Sequence, residues 1–202
     1  MRKRSRLITF LTLGIIILLP GVISTSAAAS ATQSLGLRKA AAAPTCGPRD
    51  YFYHAGTNNY NSSVIDANGE VPPSWPIIWP EKPNNGSAAN QIWCEQAGSA
   101  NGTQGYFLWA YYDNKQVCLD VSGANYSSKT HILAYPCTWA ANELFNFQYV
   151  ASNTLIITPA YYSVEFFLCL NVSGGIANGH HIILYACDTN AENERFTPQV
   201  PI

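Results

Sequence analysis

The sequence predicts an all-β domain assembled from three copies of one unit, and three observations predict it. Beyond residue 45 the apolar segments are short (YFLWAYY, VCLDV, HILAY, LFNFQYV, TLIIT, EFFLCLNV, HIILYAC), and Gly, Asn, Ser and Pro separate them. No helical period runs through them, so they read as many short strands joined by turns. The chain also resembles itself at intervals of roughly fifty residues, the mark of a repeat architecture. Finally, four of its six cysteines follow the same repeat.

An export leader precedes the domain. A basic start, MRKRSR, runs into an apolar stretch from Leu7 to Ile23 and then into small residues. Ala29-Ser30-Ala31 has the A-x-A form of a cleavage site, so residues 1–31 are read as a signal peptide cut after Ala31, with Ala29 as the alternative. The competing reading, an uncleaved anchor, needs ~20 apolar residues. Gly14 and Pro20 interrupt a run shorter than that. A secreted, extracellular chain with no membrane attachment after cleavage is expected. Residues 32–45 are Ala-rich and read as a linker.

Composition narrows the function classes. Hydrophobic residues make up 48% and charged residues 11%, with 5 Trp, 12 Tyr and 8 Phe, the reverse of a disordered chain. Four of the 11 basic residues (Arg2, Lys3, Arg4, Arg6) belong to the leader, which leaves 7 against 12 acidic residues, a net −5. Nucleic acid and anionic membrane are therefore disfavoured as partners. No C-x-x-C stands in the chain and no His has finger spacing from a cysteine pair, so no metal is implied. His180-His181 is a doublet whose rings would face opposite sides of a strand, and it reads as a loop edge.

The repeat places the individual elements. VCLDVSGA…HILAYPC…NELF aligns with LCLNVSGG…IILYACD…NERF at an offset of 51, which pairs Cys118 with Cys169, Asn142 with Asn193 and Phe145 with Phe196. A weaker copy lies upstream: VIDANGE matches CLDVSGA, IIWPE matches LAYPC and ANQIW matches ANELF. Copies two and three each carry two cysteines, and copy one has Val64 and Glu81 in their places. A pair lost together is what a bridge inside each copy leaves, so Cys118–Cys137 and Cys169–Cys187 are expected. Elimination then pairs Cys46 with Cys94.

These copies resemble the lobes of a ricin-B-type lectin domain. The Q-x-W mark of that family stands as Gln91-Ile92-Trp93 in the first copy, with altered forms Glu143-Leu144-Phe145 and Glu194-Arg195-Phe196 in the others. The resemblance covers residues 46–202, with lobes at about 46–98, 99–150 and 151–202. It implies a disulfide-stapled β-trefoil of twelve strands with pseudo-threefold symmetry. It also implies a shallow sugar pocket in each lobe, where a carboxylate and an amide bind hydroxyls and an aromatic ring stacks on the sugar.

Those residue types suit a neutral sugar independently of the resemblance. A carboxylate accepts two O–H bonds, an amide both accepts and donates, and a ring face meets polarised C–H groups. The candidate trios are Asp120, Tyr135 and Asn142 in the second lobe, Asp66, Trp79 and Asn90 in the first, and Asn171, Tyr185 and Asn193 in the third. The second ranks highest. The first keeps its Asp but has no bridge and a longer insert from Glu81 to Ala89, and the third has an amide in place of the carboxylate. Each residue has a plainer alternative: Asp120 as a turn former, Tyr135 and Trp79 as packing, Asn142 as a turn residue. Trp93, Phe145 and Phe196 are expected to fill the core.

The expected partner is thus a polysaccharide or glycan. Galactose-type sugars are possible, although the position two before the aromatic, polar in some galactose-binding relatives, is Leu133 and Ile183 here. No cofactor is implied, and oligomeric state is left open. No catalytic residues are expected either: each pocket offers at most one carboxylate, and the chain has no G-x-S-x-G, H-E-x-x-H or phosphate loop. The rival reading is a secreted trefoil that binds protein, such as a protease inhibitor or adhesion module with decayed sugar sites.

Overall fold

In this computed structural model, residues 50–56, 63–69, 72–83, 87–112, 115–161 and 167–201 are described. Residues 1–31 and 32–45, expected to be a signal peptide and a linker, and Cys46 lie outside the described residues. Short runs bounded by turn formers give twelve strands among them. The first four are β1 (Asp50–Ala55), β2 (Ser63–Asp66), β3 (Ile77–Pro80) and β4 (Trp93–Ala100). Then come β5 (Thr103–Tyr112), β6 (Lys115–Val121), β7 (Ile132–Pro136) and β8 (Leu144–Ala151). The last four are β9 (Thr154–Pro159), β10 (Leu168–Val172), β11 (Ile182–Ala186) and β12 (Phe196–Gln199).

All pairings are antiparallel, and β1–β2 and β5–β6 carry the chain from barrel into hairpin. Six strands close a ring, in the order β1, β4, β5, β8, β9, β12 and back to β1. The other six form three hairpins, β2–β3, β6–β7 and β10–β11. A six-stranded barrel with three hairpins, four strands to each copy, is a β-trefoil. Closure pairs every barrel strand on both sides, which removes the exposed edges of an open sheet. Single bridges then join hairpin to hairpin, Ser74 to Ala134, Ile77 to His181 and His131 to Ile183, one for each pair of lobes.

The core lies inside the barrel and beneath the hairpins. Trp93, Phe145 and Phe196 are fully buried there with Tyr53, Leu108, Leu119 and Leu170, as their pattern in the sequence suggested. The Trp93 indole N–H donates to the Ile65 carbonyl at 2.9 Å, which ties the first hairpin to the barrel. Barrel strands approach closely where side chains are absent. A Cβ on Gly98 would lie 2.4 Å from the Phe107 ring, and one on Gly105 2.9 Å from the Phe145 carbonyl oxygen.

Two disulfides, Cys118–Cys137 and Cys169–Cys187, form as the repeat implied. Each ties the first strand of a hairpin to the chain just past the second, and closing a loop of this length contributes about 3 kcal/mol in the chain-entropy account. In the first lobe Val64 is buried in β2 and Glu81 faces the His54 imidazole at 3.4 Å. Cys94 is disulfide-bonded.

Candidate functional site

The three hairpins share one register, and that register builds the candidate sites. Asp66 stands opposite Ile77, Asp120 opposite Leu133 and Asn171 opposite Ile183. Two residues further along, Trp79, Tyr135 and Tyr185 stand opposite Val64, Cys118 and Cys169. Directly opposed residues share a face and so do alternate ones, so each aromatic lies diagonally beside its Asp or Asn. The rings are exposed (Trp79 44%, Tyr135 37%, Tyr185 41%), whereas the polar residues beside them are buried. Sequence alone left packing open for these rings.

A turn in each lobe brings in the amide. The N–H groups of Gln91, Glu143 and Glu194 donate to the carbonyls of Ala88, Ala140 and Ala191. That turn directs the preceding Asn toward the hairpin. Asn90 Nδ2 donates to Asp66 Oδ1 at 2.6 Å and Asn142 Nδ2 to Asp120 Oδ2 at 2.6 Å. Asn193 Nδ2 donates instead to the Val172 carbonyl at 3.0 Å, beside Asn171. The proposed carboxylate and amide therefore touch in the first two lobes, and in the third the two amides are held separately.

Hydrogen-bond saturation separates the lobes more sharply than the presence of a carboxylate does. Asp66 accepts from Asn68 N and Asn90 Nδ2 on Oδ1, and from Gln91 Nε2 and Lys82 Nζ on Oδ2, all within 2.6 to 3.0 Å. Four donors fill its lone-pair sites. The bond from Asn68 is the turn-forming contact that the plainer reading anticipated. Lys82, from the insert, also donates to Asn90 Oδ1 at 3.0 Å, so its ammonium sits on the carboxylate and amide together. Asp120 receives Asn142, and among the described residues no lysine bonds to it. Burial pushes its carboxyl up from 3.8 to about 7, the Glu143 charge adds to that, and the Asn142 bond opposes it.

The residue at the Q of Q-x-W completes each arrangement, and sequence reasoning treated it only as a family mark. Gln91 donates to Asp66, and in the third lobe the roles reverse, with Asn171 Nδ2 donating to Glu194 Oε1 at 2.8 Å. In the second lobe both positions are carboxylates. Glu143 is fully buried and accepts from Thr138 N and Oγ1, Trp139 N and Ala140 N. Its charge is committed to that turn. The columns Asp/Gln, Asp/Glu and Asn/Glu were present in the alignment and could have revealed the pairing.

Two of the sites are open clefts. One of about 310 Å³ holds Asp66, Trp79 and Lys82. The other, about 550 Å³, holds Asn171, Tyr185 and Asn193, and its wall includes Lys129 and His131 from the second lobe. Among the described residues no three His, Cys, Asp or Glu side chains group as metal ligands.

No family model matches the chain, and no curated protein matches it in sequence. Solved structures do match. ThreeFoil, a designed three-fold symmetric protein, aligns with a TM-score of 0.59 at 16% identity, covering 75% of this chain and 98% of the design. An exo-β-1,3-galactanase from Clostridium thermocellum aligns at 0.56 and 14% identity, over 76% of this chain and 30% of the galactanase. The Polyporus squamosus lectin, solved with Neu5Acα2-6Galβ1-4GlcNAc, aligns at 0.54 and 16% identity, over 77% of this chain and 50% of the lectin. This chain thus spans half or less of the length of the last two. At such identities the likeness defines the fold, a β-trefoil.

Proposed function

We propose that this chain is a secreted lectin: a β-trefoil of the ricin-B type that binds neutral sugars of a polysaccharide or surface glycan through its lobes, without catalysis. The observation that carries this reading is the threefold repetition of an exposed ring, Trp79, Tyr135 or Tyr185, beside a buried polar pair. Packing alone gives no reason to hold a large aromatic in water at the same register three times. The ring offers its face to sugar C–H groups, and Asp120 offers a carboxylate that hydroxyl donors would stabilise in its charged form. Hydrolysis would need two carboxylates across one sugar. Glu143, the second carboxylate of that lobe, is buried and bonded to its own turn.

A single shallow site of this kind binds at around millimolar, ~4 kcal/mol. Several on one rigid body gain avidity on a repeating ligand, which favours polymers over free monosaccharides. The test is a glycan and polysaccharide array probed with the parent and with a Trp79→Ala/Tyr135→Ala/Tyr185→Ala variant. Exposed rings are the better targets, since they are removable with little loss of core. The expected result is binding by the parent that falls at least tenfold in a variant of unchanged unfolding midpoint. Failure of the parent to bind any saccharide would overturn the reading and favour a protein partner. Undiminished binding by the variant would remove the rings from the site.

A further inference from the structure

Deepening that reading and resting on it, we infer that the cleft of the third lobe takes a carboxylate-bearing sugar residue, such as a uronate or a sialic acid, with Lys129 as its cationic contact. The cleft is built from two lobes. Asn171, Ser173 and Tyr185 come from the third, and Lys129 and His131 from the second. Lys129 is held in place by its backbone. Its N–H donates to the Leu184 carbonyl at 2.6 Å, and the Leu184 N–H returns to the Thr130 carbonyl at 2.8 Å. These two bonds clip the lysine to the strand that carries Tyr185. His131 is fixed as well, bridged to Ile183 and stacked on Trp75 with ring centroids 4.4 Å apart.

Charge distinguishes this cleft from the others. A ligand carboxylate entering the first or second lobe meets Asp66 or Asp120. In the third the equivalent residue is Asn171, which is neutral. Its amide N–H₂ is engaged by Glu194, so its oxygen remains for sugar hydroxyls. Glu194 itself is buried beneath, with its other oxygen on Asp188 N at 2.6 Å. Lys82 in the first lobe is committed to Asp66 and Asn90, whereas Lys129 has no ion-pair partner among the described residues. The net −5 of the mature chain gives no long-range pull on polyanions, so selection rests on this one contact.

The experiment compares acidic saccharides with neutral counterparts of the same skeleton: oligogalacturonate with its carboxyl-reduced form, and sialyllactose with lactose. Titrations follow amide NMR shifts of Gly174 and Gly175 in the parent, Lys129→Gln and Lys129→Arg. One partly exposed, charge-assisted contact predicts that the acidic member of at least one pair binds about five-fold tighter. The preference should vanish in Lys129→Gln, persist in Lys129→Arg and shrink with added salt. Equal binding of acidic and neutral members by the parent, or a preference that survives Lys129→Gln, overturns the inference while leaving the lectin reading intact. Binding of no saccharide by the parent, here or on the array, overturns both.

Discussion

Asp120→Asn is expected to make the protein more stable at alkaline pH than at acid pH relative to the parent, at the expense of the second-lobe site. The Asp120 carboxyl titrates at about 7 in the fold, against an ordinary 3.8, because burial and the neighbouring Glu143 charge oppose its ionisation. Between those values the folded protein keeps a proton that the unfolded chain has released. Stability therefore falls as pH rises through the window from about 4 to about 7 and is level above it. At ~1.4 kcal/mol per pH unit the whole loss is up to about 4 kcal/mol. An amide does not titrate, and the third lobe already accommodates one at this position against a buried glutamate. Urea unfolding of parent and variant at pH 4, 6 and 8 measures the difference. The gap in favour of the variant should widen by up to about 4 kcal/mol between pH 4 and pH 8. A gap constant within about 1 kcal/mol, or one that narrows, would refute the assignment of a strained, protonatable carboxyl. Sugar binding at this lobe should also weaken as pH falls below about 7, where the carboxylate is lost.

The same substitution in the first lobe has the opposite sign. Asp66→Asn replaces an acceptor of four donors with a group that is itself half donor, and it leaves Lys82 without its ion pair. Destabilisation of about 2–3 kcal/mol at pH 7, read from urea midpoints, is expected. In the barrel, Gly105→Ala places a Cβ 2.8 Å from the Ala160 Cβ and 2.9 Å from the Phe145 carbonyl oxygen. A loss of about 1–3 kcal/mol follows, visible as a lowered Tm.

Much of this molecule was legible in one dimension because it repeats. Aligning the copies gave the hairpin cysteines, the core aromatics at 93, 145 and 196, and the trios that the register then set side by side. Alignment compares each copy with its siblings, so it recovers what lies within a lobe. It is blind to contacts between lobes, and Lys129 belongs in sequence to one copy and in space to the cleft of the next. Lys82 was hidden for a different reason. It lies in an insert with no counterpart, so nothing indicated that its ammonium reaches Asp66. Glu143 and Glu194 were visible only as altered forms of a motif, whereas each is the buried acceptor on which its turn depends.

The pairing of β1 with β12 closes the barrel between the first strand and the last. The last barrel strand has both the first strand and β9 as neighbours, so no lobe owns a complete portion of the barrel wall. A nascent or truncated chain that ends before Phe196 leaves two strands with unmet main-chain donors and acceptors. Such open edges invite pairing with another molecule. Without the final four-residue strand the barrel cannot close, and the open edges left on β1 and β9 would favour self-association.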